Sequence, residues 1–530
     1  MKRYHQRNRA AFFGALFCIL SSNALAVVLQ FFKGDVLDHA IAGEISTTIH
    51  YVLLLFSFIL GEVLLYYLYK RCSAQYVVGC VRLLKRDIFG SILRRSYVAY
   101  SARQQGEYIA KLTNEADAIR DRRFKMLPLL FDILSKIVFV SAALFLLDWW
   151  LALITIALLT TPLYIPKLIE KRLQKAQAEY LKACEENLSK VNDWLRGFEI
   201  IKNFSVERHI LRRFDASNDN TMKKLLEDAT LGAISQLITT LISYLSYFVV
   251  LVFATWLVLK GDFTAGSFFV AIGMIDQLSY PLISLAEIIR QLVSIRPACD
   301  TMEWFIVVET ESTKGKALQH VAKEIRYQDV SFAYPNATPI LKRFDLTAEI
   351  GKKYLLKGPS GCGKTTAVNL LLRYYDVNGG SITVDGVPIE EYESTYGCMT
   401  VERQEAVLFH DTLRNNLTMY RNISDKKLIV ILNDLGLSKF ASRAALDSLI
   451  TENGANLSGG EKKRICLARA LLRDTDVLLL NEPLANLDDA TAERIEDLLL
   501  SIQGKLLLIV SHQFSEEKLQ TFDRVLTMKA

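Results

Sequence analysis

The sequence predicts an α-helical domain with six membrane spans, followed by an α/β domain that contains a phosphate-binding loop. Three observations lead to this fold class. Apolar runs of spanning length recur through the first ~290 residues of the 530-residue chain. From about Glu324 the pattern changes to short strands alternating with helices. Gly358–Thr365 then fills the pattern G-x-x-x-x-G-K-[ST] at every fixed position.

The composition fits a membrane protein with more than one domain. Hydrophobic residues make up 51% of the chain, which is high for a soluble enzyme, and 530 residues exceed one ordinary domain. The net charge is only +6, so nucleic acid is not expected as a partner. The eight cysteines are scattered without a C-x-x-C pair, which favours reduced, buried thiols over a disulfide framework or a zinc site.

Six apolar runs come close to the ~20 residues that a helix needs to cross a bilayer. The predicted spans are Ala11–Phe32, Thr48–Tyr69, Met126–Leu147, Trp149–Ile165, Ile234–Leu259 and Ser267–Ile289. The fourth run is short, and we expect its helix to continue past Pro166. The first run could alternatively be a secretory signal cleaved after Ala26, but it continues to Phe32, longer than a usual signal core.

Lysine and arginine placement orients the spans. These residues concentrate in the N-terminal segment and in two long loops, Lys70–Lys125 and Pro166–Leu231. Because positive charge marks the cytosolic side, both termini and both long loops are expected in the cytosol. Lys171–Trp194 keeps apolar residues at helical spacing, so we expect the spans to extend into the cytosol as helices.

Acidic residues inside the predicted spans are candidates for a substrate path. Intramembrane charges usually face a bundle interior or water, and Glu62, Asp132 and Asp276 together would suit a cationic or amphipathic cargo. The alternative is that they form contacts between helices. Asp132 and Lys136, four residues apart, can simply pair with each other.

The phosphate loop explains why glycine recurs between Gly358 and Lys364. Gly358, Gly361 and Gly363 lack side chains, so backbone N–H groups can close around the β-phosphate of a nucleotide. Lys364 can reach the β- and γ-phosphates, and the Thr365 hydroxyl can ligate Mg²⁺. A chance glycine turn is disfavoured because a strand precedes the loop and a helix follows it.

Polar residues end two other buried strands. Val477–Leu480 leads into Asn481 and Glu482, and Glu482 at a strand end is the natural general base or water-positioning group. His512 follows the run Leu506–Ser511 and could contact the γ-phosphate. The alternatives are a surface acidic residue and a structural histidine.

A second glycine motif, Leu457-Ser458-Gly459-Gly460-Glu461, gives the chain a family resemblance. With the phosphate loop and Glu482, it resembles the ABC transporters. The order of membrane part then ATPase resembles the exporter-type half-transporters, over essentially the whole chain. The domains are then residues 1–295 (transmembrane), 296–323 (linker) and 324–530 (ABC nucleotide-binding).

The resemblance implies roles for individual residues. Glu482, His512 and Gln404 are implied as catalytic, with Gln404 also touching the membrane domain. Thr365, Gln404 and Asn481 are implied as Mg²⁺ ligands. The implied ATP-binding residues are Tyr334 (stacking on adenine), Gly358, Ser360, Gly361, Cys362, Gly363, Lys364, Thr365, Thr366, Ser458, Gly459, Gly460, Glu461 and Asp488. Arg196–Phe204 and Ser101–Tyr108 resemble the regions that couple the ATPase to the spans.

Three departures from the family pattern stand out. Glu461 replaces the usual glutamine, which is a mild change. Asn481 replaces the usual aspartate, and an amide keeps an oxygen acceptor but lacks the charge that favours Mg²⁺. The chain ends at Ala530, soon after His512, so the usual tail is expected to be almost absent. We also expect no peptidase domain before the first span, which would argue against a peptide-processing exporter.

The resemblance implies an ATP- and Mg²⁺-dependent transport ATPase. ATP would lie between Lys364 of one subunit and Ser458–Gly460 of another, so a second half-transporter is required. Asn481 favours a heterodimer slightly over a homodimer. The expected setting is a bacterial inner membrane with the ATPase domain in the cytosol, and the expected cargo is an exported amphipathic small molecule or peptide. The alternatives are an importer of a metal-chelate or other nutrient, and an ATP-binding sensor that hardly hydrolyses.

Overall fold

The computed structural model describes residues 1–161, 165–307, 315–334, 338–359, 361–392, 394–451, 454–485 and 487–528, and only the backbone of residues 165–170, 283 and 286. The chain forms two compact units. The membrane unit comprises Met1–Leu93 and Gln104–Val308, and the nucleotide unit comprises Arg94–Arg103 and Glu309–Ala530. The predicted domains are contiguous in sequence, whereas in the structure the short segment Arg94–Arg103 groups with the nucleotide unit.

Long helices build the membrane unit. In chain order the first thirteen helices are α1 Lys2–Arg7, α2 Arg9–Ile41, α3 Ile45–Leu93, α4 Tyr97–Ser101, α5 Gln105–Ala110, α6 Ala116–Ile119, α7 Met126–Leu147, α8 Trp149–Leu159, α9 Ile165–Arg196, α10 Phe198–Asn203, α11 Glu207–Lys260, α12 Ala265–Ser294 and α13 Arg296–Val307. Two π-helical turns, Lys111–Glu115 and Arg120–Phe124, join α5, α6 and α7. Of these helices, α4 belongs to the nucleotide unit.

Among the described residues, five helical stretches are long and apolar enough to cross a membrane. They are Arg9–Ile41, Ile45–Leu93, Gln105–Leu147, Glu207–Lys260 and Ala265–Val307. Each contains one of the predicted spans. The longest single helix, α11, has 54 residues, so the expected extension of the spans beyond a bilayer of ~30 Å is confirmed.

The described part of the fourth predicted span, Trp149–Ile165, is not one continuous α-helix, and residues 162–164 lie outside the described residues. Helix α8 has 11 residues and ends at Leu159, and α9 begins at Ile165. The hydroxyls of Thr160 and Thr161 donate to carbonyls of the last turn of α8. Proline follows Thr161 in the sequence, and the residue before a proline is disfavoured in a helix. Local backbone chemistry therefore ends a helix whose composition alone would have carried it further.

Close approach of backbones joins α2 to α12. A Cβ atom added to Gly266 would lie 2.4 Å from the carbonyl oxygen of Gly34, so a side chain would not fit there. Asp38 on α2 accepts hydrogen bonds from the Thr264 hydroxyl, at 2.6 Å, and from the Gly266 N–H, at 2.7 Å. Small residues are the usual means of bringing membrane helices together, and here a half-buried acceptor, Asp38, adds to them.

Two sheets build the nucleotide unit. The first is antiparallel with the order β2-β1-β4-β5, and the second is parallel with the order β6-β7-β8-β3-β9. The strands are β1 Glu324–Phe332, β2 Leu341–Glu349, β3 Lys353–Lys357, β4 Gly379–Val384, β5 Val387–Pro388, β6 Met399–Glu402, β7 Val477–Asn481, β8 Leu506–Val510 and β9 Arg524–Thr527. Every residue of β7 and β8 is buried, as the apolar sequence of a covered parallel sheet predicts.

Helices cover the parallel sheet. They are α14 Lys364–Leu371, α15 Leu413–Thr418, α16 Asp425–Asp434, α17 Arg443–Leu446, α18 Gly459–Leu472 and α19 Asp489–Ser501, with 3₁₀ turns at Ile389–Glu391, Ser438–Phe440 and Glu516–Thr521. The sheet thus separates two apolar clusters, one shared with the antiparallel sheet and α14, the other with α15, α16, α18 and α19. The predicted alternation of strands and helices is confirmed.

Candidate functional site

The site lies at the carboxyl edge of the parallel sheet. Strand β8 runs between β7 and β3, and Val510 pairs with Asn481 on one side and with Leu356 on the other. The three strands therefore end side by side. Because ligands of parallel α/β sheets bind at the carboxyl ends of the strands, the segments that follow β3, β7 and β8 are expected to meet there.

The phosphate loop connects β3 to α14 and excludes side chains by its packing. Gly358, Gly361 and Gly363 have φ angles of +151°, +86° and +99°. A Cβ added to Gly358 would lie 2.5 Å from the Met528 carbonyl oxygen, and one added to Gly363 would lie 2.7 Å from a methyl carbon of Leu341. The loop is therefore bare backbone, which suits the close approach of phosphate oxygens. Ser360 lies outside the described residues.

Lys364 begins α14 and turns its ammonium group towards the loop. The residue is 7% exposed, and its Nζ donates to the carbonyl oxygens of Gly358 and Pro359 at 2.7 and 2.9 Å. Cys362 is buried beside it, with its Sγ 3.8 Å from the same Nζ. The positive charge is thus held at the amino end of a helix, where anions bind.

Tyr334 is fixed against the same helix. Its hydroxyl lies 3.3 Å from the Thr366 hydroxyl, and its ring makes edge-to-face contacts with Phe332 and Tyr375. These contacts hold the ring beside α14. Stacking of the ring on adenine stays a prediction.

Two of the three residues expected to hold Mg²⁺ are neighbours in the structure. The Asn481 side chain donates to the Thr365 hydroxyl at 3.4 Å, so a hydroxyl and an amide from two different elements are neighbours. Hydroxyl and amide oxygens are of the hard type that Mg²⁺ accepts, so these two side chains are of a suitable chemical type without a carboxylate, and their role as Mg²⁺ ligands stays a prediction. Gln404 is exposed in the segment after β6. Across the described residues, no cluster of three or more His, Cys, Asp or Glu side chains could hold a metal.

Glu482 and His512 lie beside each other. Their strands are neighbours, and His512 Nε2 lies 3.6 Å from Glu482 Oε1. The Glu482 side chain is 15% exposed and that of His512 is 43% exposed. Glu482 has a φ of +50°, and its N–H donates to the Val510 carbonyl at 2.8 Å. A non-glycine residue in this strained conformation persists only where its surroundings hold it, which is common at functional sites.

The second glycine motif forms the start of α18. Ser458 caps the helix, its hydroxyl accepting from the Glu461 N–H at 3.3 Å, while the Glu461 carboxylate accepts from the Ser458 N–H at 2.9 Å. Either glutamate or glutamine can complete such a capping box, so Glu461 keeps the local structure of the motif. Burial would raise the pKa of Glu461, but Lys439, 2.5 Å from its other oxygen, and the bonds with Ser458 lower it.

The remaining loop candidates are also capping or exposed groups. Gly459 is exposed with open space around it, and the carbonyl of Gly460 accepts from Arg464 at 3.2 Å. Asp488 caps α19 by accepting from the Thr491 N–H at 3.0 Å. These groups are accessible in the single chain, and their roles towards a nucleotide stay predictions.

Sequence reasoning missed two buried charges next to the site. The Lys463 ammonium lies 2.7 Å from the Glu402 carboxylate, and both side chains are at most 5% exposed. Burial raises the pKa of Glu402 to about 7, although Lys463 lowers it. A glutamate at the end of the short strand-like run Met399-Thr-Val401 was the one local signal, since a buried charge there requires a partner.

Of the three candidates for a substrate path, two have hydrogen-bond partners on neighbouring helices and the third is exposed. Glu62 accepts from the Ser22 hydroxyl at 3.1 Å. Asp132 is buried, accepts from Asn23 at 3.1 Å and lies 3.6 Å from Lys136. Asp276 is exposed in the single chain. The alternative of contacts between helices therefore describes Glu62 and Asp132 better than an open path does.

Comparisons with known proteins agree with this arrangement. The family model of the ABC transporter transmembrane region matches residues 12–282, more than half of the chain, and a model described as ABC transporter matches residues 341–485. An ATP-dependent lipid A-core flippase of Photobacterium profundum is 26% identical over 442 residues, covering 82% of this chain and 75% of the flippase. A flippase of the same name from Syntrophus aciditrophicus is 25% identical over 530 residues, covering 97% of this chain and 87% of the relative.

A solved structure shares the fold. The structure of a bacterial Atm1-family ABC exporter with ATP bound matches with a TM-score of 0.80 at 21% identity, covering 98% of this chain and 93% of that one.

Proposed function

The chain belongs to the ABC transporters, and on that premise we propose that it is one half of a dimeric exporter of an amphipathic small molecule or peptide. Membership of the family makes it an integral membrane protein that couples ATP hydrolysis to transport. The observation that carries the proposal is the convergence of the phosphate loop, Glu482 and His512 at one edge of the sheet, in a chain whose other unit carries the long apolar helices.

The residues at the sheet edge have separate roles in ATP hydrolysis. Backbone N–H groups of the phosphate loop and the Lys364 ammonium bind the phosphates of ATP. Glu482 accepts the proton of the attacking water, and His512, 3.6 Å away, orients that carboxylate and contacts the γ-phosphate. Thr365 and Asn481, with Gln404, would hold Mg²⁺, and the bound ion would neutralise charge on the phosphates.

A dimer follows from the single copy of each motif. The chain has one phosphate loop and one Ser458 motif, and both the Ser458 cap and Gly459 are exposed. Each ATP site is formed by the phosphate loop of one subunit and the Ser458–Gly460 segment of the other, as the family pattern implies. Asn481 brings no carboxylate to the metal. We therefore favour a heterodimer, in which the partner subunit has an aspartate at the corresponding position.

The cargo is proposed to be amphipathic and transferred from the bilayer. The relatives named above are lipid A-core flippases, and two of the three acidic path candidates are occupied by neighbouring side chains. A lipid-like compound is therefore the first to test, with a cationic amphipath and a peptide after it. The setting is a bacterial inner membrane, with the nucleotide unit in the cytosol.

One observation supports a second candidate, an ATP-binding sensor that hydrolyses little. Asn481 stands where a carboxylate would favour Mg²⁺, and its amide faces the Thr365 hydroxyl. Mg²⁺-dependent ATPase activity of the purified protein that disappears in Glu482→Gln would rule out this candidate.

Transport from purified protein in liposomes tests the proposal. Subunits with the nucleotide unit facing outwards receive external ATP, and accumulation of a fluorescent phospholipid analogue or of a fluorescent amphipathic cation in the lumen indicates export. Glu482→Gln protein in matched liposomes is the control. ATP-driven loss of a preloaded probe from the lumen would instead indicate import and contradict the proposed direction.

A further inference from the structure

A buried lysine on the helix behind the second glycine motif contacts three separate parts of the site. Lys463 lies on α18, four residues after Gly459, and is 4% exposed. Its ammonium donates to the carbonyl oxygen of Arg403 at 2.7 Å, to that of Gln404 at 3.3 Å and to that of Asn481 at 3.4 Å. An ammonium has three donors, and four oxygens surround them here, three from the backbone and one from the Glu402 carboxylate.

Glu402 supplies the countercharge for this lysine. Its carboxylate, at the end of β6, lies 2.7 Å from Lys463 Nζ, and the Glu402 side chain is 2% exposed. Taking both charges out of water is costly, and a buried pair of this kind is often no more stable than well-packed apolar residues. Stability alone therefore gives little reason for the charged pair.

The three acceptors are on backbone that carries candidate site residues. Arg403 and Gln404 follow β6, and Gln404 is one of the exposed side chains assigned to the nucleotide site. Asn481 ends β7 and directly precedes Glu482. Lys463 thus ties the helix that begins at Gly459 to the two segments whose side chains meet the phosphates and the water. A shift of α18 would be passed to Gln404 and Glu482 through these hydrogen bonds.

We propose that Lys463, neutralised by Glu402, is a positioning residue for ATP hydrolysis that keeps Gln404 and Glu482 in register with the second glycine motif. It acts through the backbone and touches neither ATP nor the attacking water. The proposal rests on the proposed ATPase function. It requires the donor groups of residue 463, whereas a structural role would require only its volume and a neutral environment.

Two double variants separate these requirements. Lys463→Met with Glu402→Gln removes both charges, so that no unpaired charge is buried, and removes the donors. Lys463→Gln with Glu402→Gln removes the same charges and keeps an amide donor. Methionine and glutamine are close to each other in length and volume, so the hydrogen bonds are the main difference. The exposed pair Lys352 and Glu349, 2.8 Å apart with side chains 44% and 50% exposed, gives a matched control in Lys352→Met with Glu349→Gln.

The measurements are kcat and KM for ATP of the full chain in lipid nanodiscs, with the apparent Tm of each variant. We expect the methionine variant to fold and to lose about tenfold or more in kcat, with KM for ATP within about twofold of the wild type. The glutamine variant should recover kcat to within about threefold, and the exposed-pair control should match the wild type.

Wild-type kcat in the methionine variant would overturn the proposal, because the donors would then be dispensable. Failure of the folded glutamine variant to recover kcat would overturn it as well. A rise in KM without a fall in kcat would place Lys463 in nucleotide binding instead. Absence of Glu482-dependent ATPase activity in the wild type would contradict the proposed function itself, which distinguishes that failure from failure of the positioning role.

Discussion

Polar side chains are arranged differently in the two units of the molecule. In the nucleotide unit, groups from neighbouring strands meet at one sheet edge, with Glu482 beside His512 and Asn481 beside Thr365. In the membrane unit, polar groups join one helix to another, as Asn23 of α2 does with Asp132 of α7. The first arrangement presents chemistry to a ligand, whereas the second satisfies buried groups where no water is present.

This difference explains why the nucleotide is easier to infer than the cargo. Strand order forces the carboxyl ends of β3, β7 and β8 together, so residues far apart in sequence become one site. No comparable rule brings side chains of the membrane helices to one point. Removal of a polar group should therefore cost activity in one unit and stability in the other.

The largest effect on ATP binding is expected from Lys364→Ala. This change removes a charged donor from the phosphate loop, and we expect ATP affinity to fall by about 100-fold, since hydrogen bonds from charged groups contribute about 1.5–3 kcal/mol. Binding of a fluorescent ATP analogue measures it. Lys352→Ala, at an exposed lysine paired with Glu349, is the control. Unchanged affinity in the Lys364 variant would refute the assignment of the site.

Glu482→Gln should abolish hydrolysis and spare binding. A general base contributes about 10²–10⁴-fold to a rate, and an amide cannot accept the proton. Phosphate release from the purified variant should therefore be lost, while its binding of the ATP analogue should match that of the wild type. Glu493→Gln, at an exposed residue of α19, serves as the control. If the Glu482 variant still hydrolyses ATP at a substantial rate, the base lies elsewhere.

In the membrane unit, Asn23→Leu should act mainly on stability. It removes the hydrogen bonds to Asp132 and Ser135, and a buried polar group left without its partner costs about 1–3 kcal/mol. Thermal unfolding in nanodiscs measures the loss.

The matched change is Asp276→Asn, at an exposed acidic residue. It should leave the Tm unchanged and shift the half-maximal cargo concentration for ATPase stimulation by about threefold if the residue faces the path. The opposite pattern, with stability lost at Asp276 and cargo response changed at residue 23, would break the contrast between the two units.

The smallest effect in the nucleotide unit is expected from Asn481→Asp. A carboxylate next to the Thr365 hydroxyl should raise Mg²⁺ affinity by about fivefold to tenfold, because acidic oxygens favour the ion. The measurement is the Mg²⁺ dependence of the ATPase activity of the purified wild-type and variant proteins. An identical Mg²⁺ dependence in both forms would make Asn481 a neutral variant and would remove the support for a sensor.

The elements that were predicted correctly are those with a local signal. The strands β7 and β8 are apolar runs, and the phosphate loop is a pattern of eight consecutive residues, so both were visible without the fold. The break after Leu159 was missed because span length was judged from hydropathy, although a proline stands in the sequence there.

The contacts that were missed depend on tertiary packing. Glu402 and Lys463 are on β6 and α18, and their pairing requires both elements to be in place. Asn23 and Asp132 are separated by 109 positions, so the partner of the aspartate could not be read from its neighbours in the chain. The assignment of Arg94–Arg103 to the nucleotide unit has the same origin, with Tyr97 stacked on Tyr374 at 4.1 Å between ring centroids.

The unbroken length of α11 has a mechanical consequence. With 54 residues it measures about 80 Å, of which a bilayer core takes up only about 30 Å. The remaining length, roughly 50 Å, acts as a lever arm, so a tilt of about 5° moves its far end by about 4 Å. Displacements of atomic size at the end of such an arm correspond to small rotations within the lipid, and the reverse holds as well. A small rotation of the helix within the lipid is therefore amplified into a larger displacement at its far end.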